Sequence, residues 1–236
     1  MPLLLLSALV PALVLLLLFY FSDRYPEPGR VVLATFGLGV LTVVPVVIFV
    51  LLVQAPLAAL SQDPYVVGAI DAFVLASLPE EVCKFLVLAL YVRRHSAFDE
   101  PMDGLVYGAT ASLGFAALEN VLYVTGGGLG LAITRALTAV PMHAALGALL
   151  GYGVARSRFE GRPLLLALPL PILLHGLYDW PLLTLRAADN GEGSALADGE
   201  IGMLIIGALV ILVVTLAWAV RLARRMRREQ RVATPA

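Results

Sequence analysis

The chain has 236 residues, of which 60% are hydrophobic and 14% are charged, with a formal net charge of −1. This composition excludes a soluble globular domain and predicts an all-α polytopic membrane protein. The single cysteine, Cys83, excludes an internal disulfide and a zinc site built from cysteines.

Apolar stretches long enough to cross a bilayer occur seven times along the chain. A transmembrane helix needs about 20 mostly apolar residues. We therefore expect about seven transmembrane helices, with six to eight as the range, in one integral membrane domain that covers residues 1–236. The first stretch lacks a positive n-region and a small-x-small cleavage site, so we expect it to be retained. The seven stretches are residues 3–21, 31–54, 67–92, 104–124, 129–155, 163–184 and 201–220.

The basic residues alternate between the loops that join these stretches. Arginines after the first, third, fifth and seventh stretches make up 13 of the 16 lysines and arginines. The intervening loops contain a single basic residue, Arg186; these loops are residues 55–66, 125–128 and 185–200. Because cytoplasmic loops are enriched in Lys and Arg, we expect a multi-pass protein of the cell membrane. Its N-terminus would lie outside, and residues 221–236 would form a basic cytoplasmic tail.

Charged side chains interrupt the four central stretches. Each one at the centre of a membrane helix costs roughly 2.5–3.5 kcal/mol on insertion scales, so intramembrane charges by default indicate a functional site. We expect these groups to face one another in a polar core formed by the third to sixth helices. They are Glu80, Glu81 and Lys84 in the third stretch, followed by Glu119, Arg135, His143, His175 and Asp179.

The spacing of these residues places them on common helix faces. Glu80 and Lys84 are four residues apart, as are His175 and Asp179, so each pair shares one face. Pro79 removes a backbone donor next to the glutamates and predicts a kink there. Small residues that would let the fourth and fifth backbones approach closely are Gly104, Gly108, Ser112, Gly147 and Gly151.

Four short motifs contain most of these polar residues. They are Glu80-Glu81-x-x-Lys84, Phe115-x-x-x-Glu119-Asn120, His143-x-x-x-Gly147 and His175-x-x-x-Asp179, and an acidic, proline-containing segment, residues 23–28, precedes them. In this order they resemble the motifs of PrsW-type intramembrane proteases, a family related to CAAX prenyl endopeptidases and bacteriocin-processing membrane proteins. The resemblance covers roughly residues 20–185.

The resemblance implies a peptidase that hydrolyses a membrane-anchored protein, such as an anti-sigma factor, with a catalytic core at about residues 67–184. The expected partners are this substrate and the lipid bilayer, with no nucleic acid, and the oligomeric state stays open. The residues implied as catalytic are Glu80, Glu81, Glu119, His143, His175 and Asp179, with Lys84, Asn120 and Arg135 in support.

Peptide hydrolysis needs a base that deprotonates water, a stabiliser for the oxyanion and a proton donor for the leaving amine. A glutamate that is buried beside a second carboxylate can act as a general base or acid near neutral pH. We expect Glu81 to be this glutamate. His143, His175 and Glu119 are the expected ligands of a zinc ion. The embedded acids exceed Lys84 and Arg135 by two charges, which either a divalent cation or two protons would neutralise. Metal-dependent and glutamate-type mechanisms both stay open.

Other interpretations of the same residues remain. Glu80 with Lys84 can be a structural ion pair, and His143 can join two helices by a hydrogen bond. Buried acids and histidines also form ion pathways, so an ion or proton transporter is one alternative function. A non-catalytic scaffold or chaperone with a protease-like fold is the other, because fold does not determine function.

Overall fold

The computed structural model describes residues 2–191 and 196–233, and these residues form helices and loops without a β-strand. Part of the predicted loop at 185–200, including Glu192, and the last three residues of the basic tail lie outside this range. Up to Ala233 the tail continues the last helix. The α-helices are α1 (Pro2–Ser22), α2 (Gly29–Leu41), α3 (Val43–Ala58), α4 (Pro64–Ile70), α5 (Leu78–Leu90), α6 (Pro101–Leu137), α7 (Ala139–Glu160), α8 (Pro169–Asp189) and α9 (Asp198–Ala233).

Five segments of the described chain are long and apolar enough to cross a membrane, which confirms the prediction of an all-α membrane protein. The count of seven stays a prediction. The helical stretch 64–90 carries four charged residues and is not among the five, and α6 with α7 counts as one segment. The predicted helix 129–155 is broken at Thr138, and α6 itself kinks at Gly128, where φ is +70°. The five segments are Leu5–Ser22, Gly29–Ala58, Pro101–Glu160, Leu164–Asp189 and Asp198–Gln230.

Hydrogen bonds between distant parts of the chain define the two ends of the helix bundle. At one end, Gln230 of α9 donates to Asp23, which follows α1, and to Glu100, which precedes α6. At the opposite end, the Trp180 indole donates to the carbonyl of Tyr65 at 3.0 Å. The loop after α1, the loop before α6 and the end of α9 therefore lie together, as the alternation of basic loops requires.

Glycines bring α6 and α7 into backbone contact. A Cβ added to Gly108 would lie 2.1 Å from the carbonyl oxygen of Gly147, and one added to Gly151 would lie 1.8 Å from that of Gly104. No real side chain tolerates such distances to backbone atoms. The predicted close approach of these two helices is thus confirmed, and it positions Glu119 on α6 opposite His143 on α7.

We expect Gly108→Val to destabilise the protein severely, because the backbone of α7 cannot retreat as a flexible side chain would. Overpacking a core typically lowers the free energy of unfolding by about 1–3 kcal/mol, and we expect a clash with backbone atoms to cost at least the upper value. Gly126→Val is the matched control, since nothing lies within 4 Å of a Cβ at that helical glycine. Thermal unfolding in detergent should separate the two variants. Equal stability of both would contradict the close contact.

A π-helix, Asp71–Ser77, connects α4 to α5 directly before the paired glutamates. The Leu78 N–H donates to the carbonyl of Phe73, five residues back. Pro79 follows and has no N–H to continue a regular helical ladder. The predicted kink is therefore a wider helical turn, a geometry that occurs frequently at functional sites.

Candidate active site

The first two turns of α5 hold a buried cluster of two carboxylates and one ammonium group. Lys84 Nζ donates to Glu81 Oε1 at 2.8 Å and to Glu80 Oε2 at 3.1 Å. Glu81 and Lys84 are completely buried, whereas Glu80 is 6% exposed. The Lys84 nitrogen also lies 4.3 Å from the centre of the Phe115 ring. Helical spacing places all three charges on one side of α5.

His143 of α7 joins this cluster to α6. Its Nδ1 lies 3.1 Å from Lys84 Nζ, and its Nε2 lies 3.0 Å from Glu119 Oε2. An ammonium group has only donors, so His143 Nδ1 accepts the hydrogen bond from Lys84. Its Nε2 then carries the proton and donates to Glu119. The two ring nitrogens therefore have distinct roles, as they do in metal-binding histidines.

Arg135 and Asn120 hold Glu119 in place. Arg135 Nη2 donates to Glu119 Oε2 at 2.7 Å, and Arg135 Nε donates to Asn120 Oδ1 at 2.6 Å. Asn120 in turn donates from Nδ2 to the carbonyl of Ala8 in α1 at 3.1 Å. The Arg135 guanidinium also lies 4.1 Å from the centre of the Tyr123 ring. Both functional groups of the Asn120 side chain are thus used to position Arg135.

His175 of α8 lies between carboxylates on both sides. Its Nδ1 is 2.9 Å from Glu81 Oε1, and its Nε2 is 3.1 Å from Asp179 Oδ2. Glu80 Oε2 is farther from Nε2, at 3.9 Å. His175 therefore resembles His143 in that an acid contacts its Nε2, and the two histidines differ at Nδ1, which contacts Glu81 in His175 and Lys84 in His143.

This arrangement fits a divalent metal ion. Glu80, Glu81, His143 and His175 each offer one ligand atom within 4.8 Å of the others, and Glu81 Oε2 is buried without a hydrogen-bond partner. Glu119 and Asp179 lie outside this group of four but contact the histidines, as carboxylates behind metal-binding histidines commonly do. Lys84 Nζ contacts three of the four residues, so it competes with a metal ion for the same donor atoms.

Two neighbouring cavities reach the cluster. A cavity of about 250 Å³ is lined by Glu80, Glu119, Arg135, His143, His175 and Asp179. A larger one of about 900 Å³ extends from Glu80 and Glu119 along the apolar residues of α3. Ala76 of the π-helix and Glu80 line both cavities, whereas Glu81 lines neither. Glu80 is therefore accessible from both cavities and Glu81 from neither of them.

The structure joins all nine residues that the sequence singled out into one network of hydrogen bonds. The sequence predicted Glu119 as a metal ligand, and the structure places it one contact behind His143. The predicted site residues did not include Tyr123, which packs against Arg135, or Ala8, whose carbonyl accepts from Asn120. The position of Tyr123, one helical turn after Glu119, could have indicated its contact with Arg135. No feature of the sequence indicated the hydrogen bond between Asn120 and the Ala8 carbonyl. The nine are Glu80, Glu81, Lys84, Glu119, Asn120, Arg135, His143, His175 and Asp179.

Comparison with known proteins gives the family of the chain. Residues 27–219 match the model of the PrsW family intramembrane metalloproteases. The chain is 40% identical to Protease PrsW of Geobacillus kaustophilus over 182 residues, which is 75% of this chain and 78% of the relative. It is 37% identical to Protease PrsW of Bacillus subtilis over 185 residues, or 76% and 82%. No solved structure matches the chain significantly. The chain therefore belongs to the PrsW family of intramembrane metalloproteases.

Proposed function

We propose that this intramembrane protease cleaves a membrane-anchored protein with a zinc ion held by His143, His175 and Glu81, and that Glu80 is the general base. The observation that carries the proposal is the parallel arrangement of the two histidines. Each has its Nε2 on an acid, Glu119 for His143 and Asp179 for His175, and both join Glu80 and Glu81 in one group whose ligand atoms lie within 4.8 Å of one another. Zinc in catalytic sites commonly has three protein ligands and one position for water.

The ligand assignment follows from burial. Glu81 is completely buried and contacts His175, and its second oxygen has no partner, so it is suited to hold a metal ion rather than to move protons. Glu119 and Asp179 would orient the histidines through their Nε2 protons. A zinc ion held by these residues would supply a water molecule with a lowered pKa and would polarise a carbonyl group.

Glu80 is better placed than Glu81 to act as the base, although the sequence favours Glu81. Glu80 lines the smaller cavity together with both histidines, so its carboxylate can take a proton from water that enters there. The same group, once protonated, can return the proton to the leaving amine. Lys84, at 3.1 Å, favours the ionised form of Glu80 at the start of the cycle.

Arg135 is the group best placed to stabilise negative charge that develops on the substrate. It lines the smaller cavity, and its Nε and Nη2 are fixed by Asn120 and Glu119. A fixed guanidinium group needs no reorganisation during the reaction, which is the condition under which electrostatic stabilisation is most effective.

The larger cavity supports lateral entry of the substrate between α3 and the π-helix. Its walls are apolar on the α3 side and polar where it meets Glu80 and Glu119, which matches a transmembrane segment whose backbone must unfold to be cut. Ala76 lies where the two cavities meet.

We expect Ala76→Phe to lower kcat/KM for a transmembrane substrate by about tenfold or more, since the larger side chain narrows the passage between the cavities. Zinc content should stay the same, because Ala76 is not one of the proposed ligands. Val74→Phe, on the exposed side of the same π-helix, is the matched control. Cleavage kinetics in proteoliposomes would measure both variants. Unchanged kinetics in Ala76→Phe would place the entrance elsewhere.

The proposed orientation has the N-terminus outside and the C-terminus in the cytoplasm of a multi-pass cell-membrane protein. The alternation of basic loops supports it, as does the contact between the loop after α1 and the end of α9. The catalytic core would extend over about residues 67–184 within a single membrane domain of residues 1–236. A membrane-anchored anti-sigma factor is the proposed substrate class.

The deciding experiment is proteolysis in proteoliposomes with a panel of single-span substrates, anti-sigma factors among them. Wild-type protein should cleave at least one of them, a chelator should stop cleavage, and zinc should restore it. Chelator-resistant cleavage would favour a glutamate-type mechanism over zinc. Ion flux without cleavage would favour the transporter, and a co-purifying membrane protein without either activity would favour the scaffold.

A further inference from the structure

A second cluster of buried acids lies at the end of the bundle where α1 and α9 end and α6 begins. Asp23, Glu27 and Asp103 are exposed by only 4%, 4% and 1%. Each offers a carboxylate oxygen, and these oxygens lie within 4.8 Å of one another. Asp103 and Glu119 are both on α6, 16 residues apart, which corresponds to about 24 Å along the helix. This cluster is therefore separate from the candidate active site.

The protein fixes these three carboxylates and leaves oxygens available. Asp23 Oδ2 and Asp103 Oδ1 are buried without a hydrogen-bond partner. The opposite oxygen of each is held, so neither side chain can turn freely to satisfy both oxygens. The donors are the Tyr25 N–H and Gln230 Nε2 on Asp23 Oδ1, the Asp99 and Glu100 N–H groups on Asp103 Oδ2, and the Tyr107 hydroxyl on Glu27 Oε2.

The local charge has no cationic partner in the part of the chain that the structure describes. Within it, no lysine, arginine or histidine nitrogen lies within 4.0 Å of these three carboxylates. A helix cap explains one role of Asp103, whose Oδ2 completes a capping box with Glu100. It does not explain the burial of two further acids beside it, one of which, Glu27, contacts the Asp103 carboxyl group. Buried carboxylates are normally paired, protonated or bound to a metal ion.

We propose that Asp23, Glu27 and Asp103 form a binding site for a hard divalent cation, Mg²⁺ or Ca²⁺. Ligands that are all carboxylate oxygens suit these ions, whereas the histidines of the first site suit zinc. Bound there, the ion joins the loop after α1 to the first turn of α6. Gln230 extends the connection to α9, because it donates to both Asp23 and Glu100.

Titration calorimetry of the intact protein in detergent micelles, with Mg²⁺ and Ca²⁺ in separate experiments, tests the site. Wild-type protein should bind one ion per chain. Asp103→Asn and Asp23→Asn should each weaken binding on the order of tenfold or more, because the charge of the ligands sets the affinity. Asp99→Asn removes the same charge from an exposed neighbour outside the cluster, and it should bind as wild type does.

Thermal unfolding provides a second measurement that does not need a folded Asp103→Asn variant. The ion should raise the Tm of wild type and of Asp99→Asn, and Glu81→Gln should show the same increase because its change lies in the other site. Three results would overturn the proposal: no binding of either ion to wild type, equal binding by wild type and Asp103→Asn, or binding that Glu81→Gln abolishes. The first would mean that protons neutralise the cluster.

Discussion

Glu80→Gln is expected to lower peptide cleavage by about 10²–10⁴-fold while the protein keeps its fold and its zinc. Glutamine occupies nearly the same volume and retains one oxygen, but it cannot take a proton from water. Glu80 lines both cavities. Its contacts, at 3.1 Å to Lys84 and 3.9 Å to His175, are longer than those of Glu81, so we expect the loss of its charge to destabilise the protein less. Cleavage in proteoliposomes, zinc content by mass spectrometry and thermal unfolding should be measured on the same preparation.

Glu81→Gln should abolish cleavage for a different reason. Glu81 is completely buried, with Lys84 at 2.8 Å and His175 at 2.9 Å, so its loss leaves a buried ammonium group without its nearest partner. We therefore expect lower zinc content and a lower Tm together with the loss of activity. Glu160→Gln, on the exposed end of α7, should behave as wild type in all three measurements. The roles of Glu80 and Glu81 would have to be exchanged if Glu80→Gln lost zinc and Glu81→Gln kept it.

The polar core could be predicted from the sequence because each of its charges is costly in an apolar helix. Glu81, His143 and His175 come from three different helices, and the cost of placing them in the membrane falls for all three only if they face a shared polar interior. The glycines of α6 and α7 could be identified for a similar reason, since Gly108 and Gly147 fall on faces that must pack closely. In both cases the requirement, to shield a charge from lipid or to let two backbones pack closely, applies to residues of one helix and is visible in their spacing.

Contacts that depend on the relative position of helices were beyond reach of the sequence. Nothing in the spacing of Lys84 and His143 indicates that their nitrogens lie 3.1 Å apart. Pro141 indicates a kink in the predicted helix 129–155, but it does not indicate that the helix breaks three residues earlier, at Thr138. The choice between Glu80 and Glu81 as the base likewise depends on which of two adjacent side chains faces a cavity. Adjacent residues on a helix differ by only about 100° in direction, so the packing of other helices decides this point.

Lys84→Met is expected to destabilise the metal-free protein and to strengthen zinc binding. Lys84 Nζ contacts Glu80, Glu81 and His143, so it neutralises the acids and competes with zinc for the same atoms. Removing one partner of a buried ion pair typically costs about 3–5 kcal/mol. Methionine keeps the length of the side chain and its helix propensity, so the change mainly removes the charge.

Zinc should then raise the Tm of Lys84→Met by much more than that of wild type, because the variant has one more uncompensated negative charge around the ion. Thermal unfolding with zinc and with a chelator measures both effects. Arg156→Met is the matched control, since Arg156 pairs with Glu160 at 2.9 Å in an exposed position where an ion pair contributes about 0–1 kcal/mol. If Lys84→Met were as stable as wild type without zinc, the embedded acids would be neutralised by protons rather than by Lys84. An equal response to zinc in both proteins would mean that the ion binds away from Lys84, and the proposed ligands would then have to be reassigned.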